Sequence, residues 1–171
     1  MKGVCTLLFV FFFCTISCKE NKQGNNDDIF KVLVNIKVKE KDEFHLFYIE
    51  NSIEEGYKEE KKVTYPIVGM SDFQTIEFIL PPGVLPKNFR IDVGANRNET
   101  LIEIEEVRLI LNQNEIIINN RVFNRFFKPN VYIERTQNGF MRRIVKGRYD
   151  PFFMSTALLN KKIQLDFKGY R

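Results

Sequence analysis

Few side chains in this sequence have the types and spacing that catalysis requires. His45 is the only histidine, and no HxH pair or neighbouring cysteine supplies a second metal ligand. It alternates with Phe44 and Leu46 along a predicted strand, which favours a surface or edge-strand histidine over a base or a ligand. Ser71 and Ser155 lack the glycine-flanked context of a nucleophilic serine. We therefore expect no enzyme activity, no metal site and no cofactor.

Paired carboxylates are the next candidates, because a glycosidase needs two of them roughly 5 to 10 Å apart. Glu103 and Glu105 alternate with apolar residues and are most simply a solvated strand face. Asp92 is predicted either to tie down a loop or to pair with Arg90. Asp150 precedes a proline, a step that typically starts a turn. No pair stands out as a catalytic acid and base.

Polar and basic residues near two loops give binding slightly better support than catalysis. Asn96, Arg97 and Asn98 follow Gly94 in a predicted loop tip that could offer donors and acceptors to hydroxyl groups. A solvated turn is the alternative for this loop. The candidate ligand-binding residues are Asp92, Asn96, Arg97, Asn98, Arg148, Tyr149 and Asp150.

The densest basic cluster lies in the last third of the chain and consists of Arg142, Arg143, Lys146 and Arg148. Arginine forks suit carboxylate, sulfate or phosphate groups. Alternation along a strand would place Arg143 on one face and Arg142 with Lys146 on the other, so a continuous patch is not guaranteed. Protection of an edge strand explains these charges equally well.

The N-terminus predicts export and lipidation. Lys2 precedes an almost unbroken apolar run from Val4 to Ile16. Ser17 and Cys18 follow directly after this run. This arrangement is typical of a secretory signal and is too short for a bilayer span, which needs about 20 residues. The cysteine after a small residue resembles the lipobox of bacterial lipoproteins. An ordinary signal peptide with an incidental cysteine is the alternative.

We expect a signal peptide at 1–17, a lipidated Cys18 with a flexible tether through 28, and one domain at 29–171. Residues 19–28 contain no hydrophobic side chain and cannot offset their ordering entropy. All 3 cysteines lie in the export segment, so the domain must be stabilised by its apolar core. A net charge of +4 is too balanced to imply nucleic acid.

Apolar residues recur with period two over most of the domain, which predicts short antiparallel strands. We expect a hairpin between strands at 32–38 and 44–49 across Glu40–Asp42, a second hairpin at Asn138-Gly139, and a helical turn within 119–130. Within 101–111 the apolar residues change from even to odd positions at Glu105-Glu106. This change predicts a β-bulge or a break into two strands. A last strand is expected to carry Ile163, Leu165 and Phe167. The fold class is therefore all-β, an antiparallel sandwich with at most one short helical segment.

The segments IEFILPPG (76–83), FRIDVGAN (89–96) and LIEIEEVRLIL (101–111) resemble the jelly-roll modules of galactose-binding-like topology found in carbohydrate-binding domains. FNRFFKPN (123–130) and YDPFF (149–153) resemble small uncharacterised Bacteroidetes lipoproteins. The resemblance implies a jelly-roll sandwich that binds glycans.

These features together predict a lipoprotein anchored in the bacterial cell envelope, in the outer rather than the inner membrane, through acylated Cys18. Its expected role is non-catalytic binding of envelope or host glycans, with no nucleic-acid partner. The alternative is a protein-interaction subunit, or an immunity-type lipoprotein, of an envelope complex.

Overall fold

Two antiparallel sheets form the protein, as the period-two pattern predicts. The computed structural model describes residues 28–97 and 99–167. The six-stranded sheet contains β1 Phe30–Val38, β4 Gln74–Ile79, β6 Leu101–Leu111, β7 Asn114–Asn119, β9 Ile133–Thr136 and β10 Gly139–Arg142. The five-stranded sheet contains β2 Asp42–Ile49, β3 Lys62–Ile67, β5 Asn88–Asp92, β8 Phe127–Pro129 and β11 Phe152–Ser155. The helices are α1 Phe123–Phe126 and α2 Ala157–Asp166.

The strand orders are β4-β1-β6-β10-β9 and β3-β2-β5-β11-β8, with β7 also paired to β6. The chain passes repeatedly from one sheet to the other, so consecutive strands often lie in opposite layers. The all-β antiparallel sandwich predicted from the sequence is confirmed. Among the described residues, no helix combines the length and the apolar character that spanning a bilayer requires.

A phenylalanine-rich core joins the layers. Phe140 of the six-stranded sheet meets Phe153 of the five-stranded sheet with ring centroids 4.8 Å apart, and Phe123 of α1 lies 5.1 Å from Phe153. All three side chains are buried. Edge-to-face aromatic pairs of this kind stabilise by about 0.5–1.5 kcal/mol beyond the area they bury.

The predicted β-bulge lies in β6. Asn35 of β1 pairs with Glu106 while Ile36 pairs with Ile104, so Glu105 is the extra residue. Ile104 and Val107 are consequently both buried, whereas Glu105 is exposed. The bulge keeps both halves of the strand facing the same core, because a slip of one residue would otherwise reverse the face.

The predicted hairpin between the first two strands is wrong. β1 pairs with β4 and β6, whereas β2 pairs with β3 and β5 in the opposite sheet. Both strands alternate apolar residues because both cover the same core, from opposite sides. Alternation therefore cannot distinguish a hairpin from a crossing between layers. The second hairpin is confirmed, with Thr136 paired to Gly139 across the loop residues Gln137 and Asn138.

The predicted last strand is also wrong, because α2 occupies that segment. Leu159, Ile163 and Phe167 are buried at a spacing of four, while Leu165, which a strand would have buried, is 63% exposed. Thr156 caps the helix, its hydroxyl accepting from the Leu159 backbone N–H at 3.4 Å. The helical turn predicted within 119–130 is confirmed as α1.

Candidate functional site

One end of the sandwich collects most of the predicted ligand-binding residues. We call it the loop end; it comprises the segments 93–97, 99–100 and 143–151. An open depression of about 550 Å³ lies there, lined by Ala95, Arg97, Tyr132, Gly147, Arg148, Tyr149 and Asp150. Four of the predicted residues (Arg97, Arg148, Tyr149 and Asp150) thus meet in one place, although about fifty positions separate the first from the others.

A buried ion pair holds the loop end in place. The Asp42 and Arg142 side chains are both 0% exposed, and Arg142 Nη1 donates to Asp42 Oδ2. Arg142 also donates to the carbonyl of Val93 at 2.8 Å and to the hydroxyl and carbonyl of Thr100. Asp42 Oδ1 accepts the backbone N–H groups of Ala95 at 2.9 Å and Asn96 at 3.0 Å. The pair therefore supplies hydrogen-bond partners to backbone groups of the loop that carries Arg97.

Gly94 is required by this pair. Its φ is +135°, a conformation that residues with a side chain rarely adopt. A Cβ at this position would overlap Arg142 Nη1 and lie 2.7 Å from Asp42 Oδ2. The close approach of the backbone to the ion pair is thus possible only for glycine.

The position of Arg142 differs from the one expected from the sequence. It was expected to belong to a surface basic cluster, yet it is buried in the core, and Arg143 pairs instead with Glu134 at the surface. The strand ends at Arg142 and the chain turns at Lys146, whose φ is +49°. Of the four clustered basic residues, only Arg148 lines the depression.

Arg148 and Arg97 give the depression its positive character. The Arg148 side chain is exposed and its guanidinium has no partner among the described residues. Arg97 donates from Nη2 to the Gly147 carbonyl, which links the two loops. Asp150 supplies the one carboxylate of the lining. Two guanidinium groups against one carboxylate favour a ligand that carries negative charge.

Two tyrosines give the depression its apolar surface. Tyr132 and Tyr149 are both half-buried. Burial raises the pKa of the Tyr149 hydroxyl to about 12; the nearby Asp42 carboxylate adds to this rise and Arg142 opposes it. The hydroxyl therefore stays protonated at every physiological pH, and it lies beside Gly94 and the Arg142 side chain, so Tyr149 contributes its ring to the depression.

Asn130 is a positioning residue that the sequence analysis missed. Its side chain donates to the Asp150 carbonyl at 2.5 Å and accepts from the backbone N–H groups of Tyr132 at 3.2 Å and Phe152 at 3.4 Å. It therefore joins both sides of the depression. The available sequence signal was Pro129, which ends β8 and so places Asn130 at the start of a turn. Asparagine side chains in turns commonly hydrogen-bond to nearby backbone groups.

Asn96 and Asp92 do not line the depression. Asn96 is used as an anchor, its Nδ2 donating to the Lys41 carbonyl at 2.5 Å. Asp92 lies on the outer face of the five-stranded sheet, where it pairs with Arg90 as one of the two alternatives predicted. Asn98 and Cys18 lie outside the described residues.

The Arg90–Asp92 pair is the second unusual feature of the molecule. The Arg90 guanidinium lies over three aromatic rings, with centroids at 4.7 Å for Phe47, 5.1 Å for Tyr57 and 4.6 Å for Phe152. Its Nε is 2.9 Å from Asp92 Oδ1, but neither atom has a hydrogen bond of good geometry. Burial raises the pKa of Asp92 to about 7 despite Arg90, and Asp150 contributes to the rise.

His45, predicted to lie at the surface or on an edge strand, is half-buried beside this pair. β2 instead lies between β3 and β5, and His45 is in register with Asp92. Its Nε2 lies 2.7 Å from Glu43 Oε1. Within residues 28–97 and 99–167, no group of three or more histidine, cysteine, aspartate or glutamate side chains could hold a metal ion.

Comparison with known proteins finds no relative: no protein-family description matches the chain, and no curated protein matches it significantly.

Proposed function

We propose that this protein is a lipoprotein of the bacterial cell envelope that binds glycans without catalysis, through the loop end. The observation that carries the proposal is the convergence of Arg97, Arg148 and two tyrosines on one open depression. Guanidinium groups bind carboxylate and sulfate groups, and tyrosine offers both a ring face and a hydroxyl. Envelope or host polysaccharides that carry acidic groups combine these chemistries.

The direction of β1 supports display of this site away from a membrane anchor. Phe30, where the chain enters the sandwich, pairs with Leu111, whereas Val38 at the other end of the strand pairs with Ile102. Asn96 of the loop end contacts Lys41, just beyond Val38. The 9 residues of β1 separate the two ends by roughly 26 Å. A tether leading from acylated Cys18 would thus reach the end opposite the binding site.

The ligand class is tested by a glycan array followed by affinity electrophoresis of the full-length protein in detergent. We expect gels containing an acidic polysaccharide to retard the protein more than gels containing a neutral one. Arg148→Ala should abolish most of that retardation. Arg125→Ala is the matched control, because this exposed arginine of α1 also lacks a side-chain partner among the described residues. Absence of binding on the array and in every gel would contradict the proposal.

Membrane anchoring is tested separately by Cys18→Ser. The unaltered protein should fractionate with the outer membrane and carry acyl chains at residue 18, because two or more chains give stable attachment. The Cys18→Ser variant should lose the acyl mass and leave the membrane fraction. Recovery of an unmodified N-terminus from the unaltered protein, by mass spectrometry, would overturn this part of the proposal.

A protein-interaction subunit is the second candidate, and one observation favours it. Val131 is 75% exposed beside Tyr132, and Ile144 is 39% exposed beside Arg143, so apolar side chains flank the loop end. Exposed apolar groups of this kind occur at protein interfaces. A stoichiometric partner that co-purifies from membranes and is not displaced by sugar would support this candidate over glycan binding.

A further inference from the structure

The bulge in β6 opens a second cavity, which we call the bulge cleft. β10 pairs with residues 101 and 102 of β6, and β7 pairs with residues 106–111 along the same edge. None of the described strands therefore lies beside residues 103–105 on that edge, although the Asn120 N–H donates to the Glu105 carbonyl at 2.9 Å. A cavity of about 460 Å³ occupies the gap. This volume is within the range of small-molecule sites, and bulges are frequent beside such sites.

Charges in the bulge cleft balance. Glu103 and Glu105 contribute two carboxylates, and Arg121 and Arg135 contribute two guanidinium groups. Glu103 is paired with Lys37 at 2.7 Å, and Glu105 accepts from the Asn35 amide at 2.5 Å. Both acids thus already have partners on the sheet surface. The charged residues of the lining alone sum to zero, and Lys37, which pairs with Glu103, adds one positive charge beside the cleft.

The groups that remain available are mostly amides. Asn120, Gln137 and Asn138 line the cleft, and none of their side chains hydrogen-bonds to another described residue. The Arg121 guanidinium likewise has no partner in the described part of the chain. Each amide offers both donors and acceptors, so the cleft presents several unused groups of both kinds.

An aromatic ring completes the lining. Phe73 is 41% exposed, and Lys37 Nζ lies 5.2 Å from its ring centroid, so one of its faces is partly covered. Phe140 closes the cleft from the core side and is buried. Exposed aromatic surface beside unused amides suits a ligand with C–H groups on one side and hydroxyl groups around its rim.

We propose that the bulge cleft binds one neutral sugar residue. Hydroxyl groups both donate and accept hydrogen bonds, which matches the three amides and Arg121, and the balanced charge of the lining disfavours an ion. The inference shares the ligand class of the proposed function but depends on none of the loop-end residues. The loop end would take the charged groups of a glycan, and the cleft an uncharged unit.

The test is saturation-transfer-difference NMR on the full-length protein in detergent. The probes are glucose, galactose, mannose and N-acetylglucosamine, with glucuronic acid and glucosamine as the anionic and cationic arms. We expect saturation transfer to at least one neutral sugar, and weaker transfer to both charged probes. Arg121→Ala combined with Asn138→Ala should weaken binding of that sugar about tenfold or more. Arg125→Ala should leave it unchanged.

A second variant keeps the test decisive if the first changes the loop structure. Gln137→Leu removes one of the unused amides from the hairpin loop that lines the cleft, so it should weaken binding of the sugar while the thermal unfolding midpoint stays near that of the unaltered protein. No transfer to any neutral sugar, or transfer that both cleft variants retain, would overturn the cleft site. Retardation by polysaccharide that depends on Arg148 would still support the loop end, so the two proposals can fail independently.

Discussion

Two of the arginine–carboxylate pairs among the described residues are largely withdrawn from solvent, and they are stabilised in different ways. Arg142 and Asp42 are 0% exposed, and both make several further hydrogen bonds to backbone. Arg90 and Asp92 are 20% and 12% exposed, and two of their facing atoms lack a hydrogen bond of good geometry. Hydrogen bonds to loop backbone offset the cost of burying the Arg142–Asp42 pair. Contacts with aromatic rings offset that cost for the Arg90–Asp92 pair. Both pairs are largely buried, so burial alone does not show which pair contributes more to the shape of the loops.

The two pairs also differ in how far apart their members lie in the sequence. Asp42 and Arg142 are separated by 100 positions, whereas Arg90 and Asp92 are separated by 2 on the same strand face. The distant pair connects β2, the loop after β5 and the end of β10. The local pair acts within one strand and the rings around it. We infer that the distant pair determines the shape of the loop end.

The largest expected effect is that of Arg142→Ala. Removing the guanidinium leaves the Asp42 carboxylate buried without its counter-ion, which typically costs about 3–5 kcal/mol of unfolding free energy. Arg143→Ala is the matched control, because the salt bridge between Arg143 and Glu134 is exposed and should contribute less than about 1 kcal/mol. Urea denaturation measures both. Equal losses of stability would refute the contrast between the two arginines.

Arg90→Ala should have a smaller effect, of about 1–3 kcal/mol. It removes the contacts with three rings, each of which contributes on the order of 1 kcal/mol. The remaining Asp92 can take up a proton, since burial already holds its pKa at about 7. Urea denaturation at pH 6 checks this. A loss as large as that of Arg142→Ala would show that the local pair matters as much as the distant one.

Asp92→Asn should change the pH dependence of stability. Because the folded-state pKa of Asp92 is raised, from 3.8 to about 7, the unfolded chain releases this proton first. Stability should therefore fall as the pH rises from about 4 to about 7, by at most about 1.4 kcal/mol per pH unit, and level off above that range. The Asn variant should lack this contribution.

Denaturation of both proteins at several pH values between 4 and 8 gives the comparison. Parallel pH profiles would contradict the assignment of the raised pKa to Asp92.

Local signals in the sequence predicted much of the fold. The position of the β-bulge was predicted correctly. The buried apolar residues of this strand change from even to odd positions at Glu105, and this change is visible in the sequence alone. The last segment was misassigned because Ile163 and Phe167 fit both a period of two and a helical spacing. Two signals favoured the helix: Thr156 is a good N-cap residue, and Leu159 lies one helical turn before Ile163. Leu165 is exposed, so the segment follows the helical spacing and not the period of two.

The candidate site was only partly predictable. Arg148, Tyr149 and Asp150 were found because basic and aromatic residues cluster beside a turn. The supports of the site, Asp42, Arg142 and Asn130, were not, because each acts on backbone groups that lie far away in the sequence or in another strand. Pairing between distant segments depends on how the sheets stack, which periodicity does not encode.

Calorimetric titration of the full-length protein, with an acidic polysaccharide that retards it in gels, tests the central role of the loop end most directly. Binding should be measured for the unaltered protein, Arg148→Ala and Arg125→Ala at low and at physiological salt. We predict a loss of about tenfold or more in affinity for Arg148→Ala, larger at low salt, and no change for Arg125→Ala. Equal affinity of the unaltered protein and Arg148→Ala would contradict the account.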